Sequence, residues 1–155
     1  MTKKMALIAT KGTLDMAYPP FILGSTAAAL GWDVQIFFTF YGLQLLRKDL
    51  SDVKISPLAN PAMPMPVPMP VMVQALPGME SMATMMMKQK MKSKGVASLE
   101  ELREVCLEAD VKFIACQMTV DLFDFSKDDF ISNVEFGGAA TFMNFAGRSD
   151  VCLFI

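Results

Sequence analysis

Short apolar segments alternate with helical patterns along this chain of 155 residues, and the alternation limits the possible folds. The first predicted strand is Met5–Thr10, and a helix is predicted over Ala17–Leu30, with its two prolines confined to the first turn. A second strand, Trp32–Phe38, leads into a further helix through Leu43 and Lys48. Because each strand is followed by a helix, the order predicts an α/β fold with a mainly parallel sheet and helices on its faces.

The second half of the chain continues the alternation. Ser98 and Glu101 form a capping-box pattern, which predicts the start of a helix. The stretch 128–136 predicts no particular element. The elements predicted here are, in order, a helix that begins after Ser98, a strand Lys112–Ala115, a helix Ala139–Phe145 and a strand Asp150–Ile155.

A methionine- and proline-rich insert, at about residues 57–95, interrupts a predicted single domain of residues 1–155. No charge occurs between Lys54 and Glu80, but seven prolines there rule out a regular membrane-spanning helix. Ala62–Pro70 alternates Met, Pro and Val, which predicts an extended or polyproline-like path. The helix predicted over Met79–Lys94 carries a methionine stripe, which we interpret as an oligomer interface or as a flap over the crevice beside Cys116.

The composition excludes several classes of function. The chain has no histidine, which excludes Ser–His and Cys–His catalytic pairs and removes the commonest metal ligand. A formal charge of −2 gives no basic surface for nucleic acid. There is no Walker A loop, dinucleotide fingerprint or zinc-site cysteine spacing, so we expect no cofactor and no metal. Three cysteines cannot all pair within one chain, which favours a reducing, cytoplasmic setting.

Cys116 is the main candidate for a reactive residue. It follows a predicted buried strand, and the carboxyl ends of parallel strands open onto the crevice where ligands bind. The turns Lys11-Gly12 and Tyr41-Gly42 are expected at the same edge. Lys11 could steady an anion there, while Gly12 could permit a close backbone approach. The simpler alternative is that Cys116 is a small buried residue, Lys11 is solvated and Tyr41 packs.

The other two cysteines are expected to be structural. Cys106 lies on the apolar face of its helix and is interpreted as a core residue. Its helix and the following strand run antiparallel, which places Cys106 roughly 15 Å from Cys116 and beyond disulfide reach. Cys152 lies inside the last predicted strand, where we expect an inert thiol.

In its order of elements the chain resembles the DsrE/DsrF/DrsH-like family of small sulfur-carrier proteins, in the branch with a Met/Pro-containing insert that is often labelled peroxiredoxin-like. The resemblance spans nearly the whole chain. It is carried by the strand Met5–Thr10 with its Lys11-Gly12 turn, the helix and strand Ser98–Ala115, the following Cys116-Gln117-Met118, and the Gly137-Gly138 segment before the last strand.

This resemblance implies a flavodoxin-like, three-layer α/β fold, frequent oligomers and a cysteine that carries sulfane sulfur. By position, Cys116 matches that cysteine. The residues that we predict to bind substrate beside it are Lys11, Gly12, Tyr41, Gly42 and Gln117.

The leading hypothesis is a sulfur carrier or sulfurtransferase. It would hold sulfane sulfur on Cys116 as a persulfide or thiosulfonate and pass it to a sulfur-relay partner protein. We expect a homo-oligomer, with membrane docking through the insert as a lesser alternative. A non-catalytic binding or assembly module with a small-anion crevice is the second hypothesis, and a thiol peroxidase the third. The sequence leaves open whether the protein is an enzyme.

Overall fold

Five strands and six α-helices make up the part of the chain that the computed structural model describes, residues 1–64 and 67–155. The strands are β1 (Lys4–Ala9), β2 (Asp33–Phe38), β3 (Lys112–Cys116), β4 (Val134–Gly137) and β5 (Val151–Phe154). The α-helices are α1 (Leu14–Ala29), α2 (Val71–Gln74), α3 (Met79–Ser93), α4 (Leu99–Glu108), α5 (Gln117–Leu122) and α6 (Ala139–Ala146). Two 3₁₀ helices span Phe40–Leu46 and Lys127–Asp129.

All five strands are parallel, in the order β4-β3-β2-β1-β5. The chain steps from β1 to β4 in one direction and then crosses back to place β5 beside β1. Because parallel crossovers are right-handed, this reversal puts the last helix on the opposite face of the sheet from the earlier ones. The predicted α/β fold with a mainly parallel sheet is confirmed.

The two faces of the sheet build two separate apolar clusters. Leu7 and Ile36 face the larger cluster, which contains Phe21 of α1 and Cys106 of α4. The smaller cluster holds Ala6, Phe37, Ile114 and Cys116 from the strands, with Phe142 and Phe145 from α6. Side chains alternate between faces along a strand. The Cys116 side chain therefore lies on the α6 side.

Helix α1 begins at Leu14 rather than at the predicted Ala17. The Leu14 N–H donates to the Lys54 carbonyl at 2.9 Å, which satisfies one of the free donors of the first turn. Pro19 and Pro20 consequently lie in the second turn, so the prediction that confined them to the first turn is wrong. Each proline lacks one helical hydrogen bond. Packing around them compensates, since Pro20 is buried beside Phe21.

The segment after β2 is the 3₁₀ helix Phe40–Leu46, not the α-helix predicted through Leu43 and Lys48. Its buried residues recur every three positions, as a 3₁₀ helix requires: Gly42 with Leu45, and Leu43 with Leu46. The stretch 128–136, for which no element was predicted, contains the start of β4. This strand has only four residues and none of them is fully buried, so it leaves a weak pattern in the sequence.

The insert packs mainly against the α1 and α4 side of the molecule. Met63, Met87 and Met91 contact the larger cluster, and the buried Thr84 hydroxyl accepts a 2.9 Å hydrogen bond from Ile55 N–H. Cys116 belongs to the other cluster, and the role of the insert as an oligomer interface or a flap stays a prediction.

The predicted helix from Met79 is present, and its stripe residues Met82, Met85 and Met86 are exposed. Within the predicted extended stretch 62–70, residues 65 and 66 lie outside the described residues, and the others form neither helix nor strand. Across residues 1–64 and 67–155, every helix is too short or too polar to cross a membrane.

Candidate functional site

Cys116 is the last residue of β3 and the residue that precedes α5. β3 lies inside the sheet, with Gly137 of β4 opposite Cys116 on one side. On the other side Phe38 of β2 is opposite Ala115, so that Thr39 follows next to Cys116. The side chain is 5% exposed. It is therefore a buried thiol at the carboxyl edge of the sheet, with neighbours from two strand ends.

Hydrogen-bond donors converge on this sulfur. Burial alone would raise the pKa of Cys116, because it disfavours the thiolate. The hydroxyl and N–H of Thr119, the hydroxyl of Thr39 and the N–H of Met118 outweigh burial, and the pKa of the thiol is lowered. Among the described residues no charged side chain contributes to this shift. The thiolate is stabilised by dipoles, not by a cation.

The two threonines form a small network that the sequence did not reveal. Thr119 is fully buried, and its Oγ1 lies 3.2 Å from Oγ1 of Thr39. One of the two hydroxyls donates to the other, and the Thr119 oxygen also accepts a hydrogen bond from the Phe40 N–H at 3.2 Å. The available signals were a threonine three residues after Cys116 and another at the end of the neighbouring strand.

The turns after β1 and β2 meet in direct backbone contact. A Cβ atom on Gly12 would lie 2.4 Å from the Tyr41 carbonyl oxygen, and one on Gly42 would lie 2.1 Å from the Ala9 carbonyl oxygen. Only glycine permits such an approach. The two turns emerge at one edge, as expected. Lys11 is exposed in the first of them, and substrate binding by these residues stays a prediction.

The remaining predicted site residues lie at the surface beside Cys116. The Tyr41 ring is 63% exposed and stacks on Phe123, with 6.1 Å between ring centroids. The Gln117 amide donates to the Asp121 carboxylate at 2.8 Å along the outside of α5. Both side chains border the site, and their contact with a substrate stays a prediction.

The three cysteines are all free, but they occupy different environments. Cys106 is fully buried and its sulfur donates to the Phe21 carbonyl at 3.3 Å, which confirms its prediction as a core residue. Desolvation raises the pKa of Cys106 to about 12, despite opposing hydrogen bonds from Ser25. Cys152 is exposed because β5 is an edge strand, so burial does not protect it. Within the described residues no three acidic or cysteine side chains cluster as a metal site.

Comparisons with known proteins agree with this architecture. A model of the DsrE/DsrF/DrsH-like family matches residues 1–154. The chain is 68% identical over 157 residues to the sulfur carrier protein DsrE2 of Allochromatium vinosum, a match that covers 99% of this chain and 98% of that relative. It is 32% identical over 156 residues to the uncharacterized protein YrkE of Bacillus subtilis, again over 99% and 98% of the two chains.

Among solved structures, the ychN protein from E. coli superimposes over the full length of both chains. The TM-score is 0.54 at 12% sequence identity, so this likeness concerns the fold alone. The family model matches residues 1–154, and both relatives are matched over nearly their whole length. The chain belongs to the DsrE/DsrF/DrsH-like family.

Proposed function

We propose that this protein is a sulfur carrier that holds sulfane sulfur on Cys116 and passes it to a partner protein. The observation that carries the proposal is the converging set of donors from Thr119, Thr39 and Met118, which lowers the pKa of a thiol at the ligand-binding edge of the sheet. The relative with 68% identity, which is named a sulfur carrier, supports the same conclusion.

Loading from a persulfide needs no general base. The Cys116 thiolate attacks the outer sulfur of a donor R–S–SH, a new sulfur–sulfur bond forms, and the donor leaves as the thiolate R–S⁻. Sulfur is transferred with no net oxidation, so no oxidant or reductant is consumed. This fits a chain without histidine, since the donors around the sulfur supply the thiolate directly.

The same thiolate can react with inorganic donors. Attack on the sulfane sulfur of thiosulfate releases sulfite and leaves a persulfide. Attack on tetrathionate releases thiosulfate and leaves a thiosulfonate on Cys116. In each case one sulfur–sulfur bond forms and one breaks. Delivery is the reverse type of step, in which an acceptor thiolate attacks the sulfur held on Cys116.

The chemistry also indicates the setting of the protein. A reduced thiol is required, so we place the reaction in the cytoplasm, where free cysteines persist. We expect a homo-oligomer, because residues 71–76 expose several apolar side chains that a second copy would cover: Val71, Met72, Val73 and Leu76. Light scattering on the purified protein measures the oligomer size directly.

Intact-mass spectrometry tests the carrier role. The reduced protein is exposed to thiosulfate, tetrathionate or polysulfide, and its mass is compared before and after treatment with a reductant. We expect an adduct of sulfane sulfur or thiosulfonate that the reductant removes. The Cys116→Ser variant should form none, whereas Cys152→Ser, which removes the exposed thiol, should load as the parent does.

Two outcomes would contradict the assignment. An adduct that persists in folded Cys116→Ser would place the sulfur on another cysteine. If no donor loads the folded parent protein, the non-catalytic binding module becomes the better description. Turnover of peroxide under a reductant, without sulfur loading, would instead favour a thiol peroxidase.

A further inference from the structure

A group of exposed apolar side chains lies on the two segments next to Cys116, the 3₁₀ helix after β2 and α5. Phe40 and Tyr41 come from the 3₁₀ helix after β2, while Met118, Leu122 and Phe123 come from α5 and its end. We call these five residues the apolar rim. Single exposed apolar residues are ordinary on a protein surface, but a contiguous group beside a reactive residue marks an interaction surface.

The aromatic rings of the rim hold one another in place. Tyr41 stacks on Phe123 with an interplanar angle of 17°, and Phe40 packs edge-on against both at 6.3 Å between centroids. Rings already fixed by mutual contacts lose little further freedom when a partner covers them. Aromatic residues also dominate the binding energy of protein interfaces. The rim has the composition and the rigidity of a docking surface.

The rim is attached to the groups that hold the thiol. The Phe40 N–H donates to Thr119, and Thr119 and Met118 are among the groups that lower the pKa of Cys116. Phe40 has a positive φ of 48°, a left-handed conformation that a bulky side chain rarely adopts. This backbone conformation presents the ring at the surface while its N–H points inward. The rim therefore lies on the same segments as the groups around the thiol.

Two exposed carboxylates border the rim, Asp121 within α5 and Asp124 just after it. Asp121 accepts a hydrogen bond from the Gln117 amide. Because this donor is neutral, the contact does not neutralise the negative charge of Asp121. A second copy docked through this same surface would add two more carboxylates to the interface and no cation from the rim. A cationic partner gains from both carboxylates.

We propose that the apolar rim docks a cysteine-bearing segment of a partner protein whose neighbouring residues are apolar and cationic. This proposal rests on the proposed function, since it describes the partner with which Cys116 exchanges sulfur. The apolar side chains supply contact, and Asp121 and Asp124 select the positive charge. The inferred partner presents its cysteine on an exposed segment, because the 5% exposed thiol admits only a narrow approach.

Thiol exchange with defined peptides tests this surface. Three synthetic peptides share a central cysteine and one flanking leucine, and differ only in further flanking residues, which are lysine, serine or glutamate. Each cysteine carries a nitrothiobenzoate group. Attack by the Cys116 thiolate forms the mixed disulfide with the peptide and releases the coloured nitrothiobenzoate anion, so the rate is read by absorbance. A Cys152→Ser background removes the exposed competing thiol.

We expect the lysine peptide to react about five-fold faster than the glutamate peptide at low salt, and the gap to close at high salt. Asp121→Asn with Asp124→Asn should remove most of the gap. Phe123→Ala should slow all three peptides. The matched control, Glu104→Gln with Glu108→Gln on α4, should leave the rates unchanged. Equal rates for the three peptides, or a gap that survives in the asparagine variant, would overturn the proposal.

The assay separates this inference from the proposed function. Exchange with a peptide reports docking and thiolate reactivity, and it involves no sulfane sulfur. A cationic preference in a protein that takes no sulfane sulfur would refute the carrier role alone. Sulfur loading on Cys116 without a peptide preference would refute the docking surface alone.

Discussion

Cys106 and Cys116 are both withdrawn from solvent, at 0% and 5% exposure, yet their pKa values move in opposite directions. Desolvation raises the pKa of Cys106 to about 12. Desolvation opposes ionisation at Cys116 as well, but hydrogen bonds outweigh it and the pKa is lowered. The comparison shows that burial alone does not decide whether a thiol is reactive; the donors within reach of the sulfur decide it.

The position of each cysteine in its element explains the difference. Cys106 lies inside α4, where the backbone N–H groups are used by the helix, and its sulfur donates to the carbonyl of Phe21. That acceptor favours the neutral thiol, and the opposing hydrogen bonds from Ser25 do not outweigh desolvation. Cys116 lies where β3 passes into α5, and the first N–H groups of a helix have no partner within it. The strand-to-helix junction leaves backbone N–H donors available to the sulfur, whereas the N–H groups inside a helix are already used.

Selective alkylation gives the largest test of this comparison. With its pKa at about 12, Cys106 has a thiolate fraction of about 10⁻⁴ at pH 8. An ordinary exposed thiol is about a quarter ionised there, and the lowered pKa favours the thiolate at Cys116. We expect iodoacetamide to modify Cys116 at least about a thousand-fold faster than Cys106, measured by peptide mass spectrometry of the Cys152→Ser protein. Comparable labelling of the two residues in the folded state would end the contrast.

Gly42→Ala should change the pKa of Cys116 and leave the pKa of Cys106 as it is. The added Cβ would lie 2.1 Å from the Ala9 carbonyl oxygen, so the backbone around Thr39 and Phe40 must shift. We expect a loss of about 2 kcal/mol in the free energy of unfolding and a higher pKa for Cys116. Denaturant unfolding and the pH profile of alkylation measure the two effects.

The matched control for this glycine is Gly138→Ala. Its Cβ would meet no atom within 4 Å, and its φ is −90°. This variant should leave the Cys116 pH profile as it was. A Gly42→Ala protein with unchanged stability would show that the turns after β1 and β2 are not held in the close contact described above.

Thr119→Val removes one donor from Cys116 while preserving the shape of the side chain. A hydrogen bond to a charged group contributes about 1.5–3 kcal/mol, which corresponds to a rise of about one to two in the Cys116 pKa. The midpoint of the alkylation profile should move to higher pH, and sulfur loading at neutral pH should fall about ten-fold. Thr119→Ser keeps the hydroxyl and should restore both. An unaltered midpoint in the valine variant would show that the N–H donors suffice.

The sequence predicted those elements whose pattern is local. The helix from Met79, the capping box at Ser98 and the strand before Cys116 all depend on neighbouring residues, and all three are present. The 3₁₀ helix after β2 was predicted as an α-helix because its form depends on the contact between Gly42 and Ala9, which are distant in sequence.

The site could be predicted only in part, for a similar reason. Cys116 was found because the end of a buried strand is a recognisable position. Thr39 and Thr119 were missed because their meeting depends on the register of β2 with β3, in which Phe38 lies opposite Ala115. The exposure of Cys152 could not be predicted, because the place of β5 at the sheet edge follows from topology and not from its apolar residues.

Alkaline unfolding tests the raised pKa of Cys106 alone. In the unfolded chain Cys106 ionises near the ordinary thiol pKa of about 8.5, whereas in the folded protein it keeps its proton until about pH 12. Between these values the folded state binds the extra proton, so stability falls as pH rises, by up to about 1.4 kcal/mol per pH unit. Below pH 8 this contribution is absent.

Because other groups also titrate at high pH, the measurement is the difference between the parent protein and Cys106→Ala. Both free energies of unfolding are measured by denaturant titration from pH 7 to pH 10. The alanine variant should be less stable at pH 7, because it leaves a cavity beside Phe21, but its stability should fall less steeply with pH. The contribution of Cys116 has the opposite sign. Because its pKa is lowered in the folded protein, stability rises with pH between its folded and its unfolded pKa. Parallel pH curves for the two proteins would mean that Cys106 ionises as readily inside the fold as outside it, and the distinction between the two thiols would then rest on access to solvent alone.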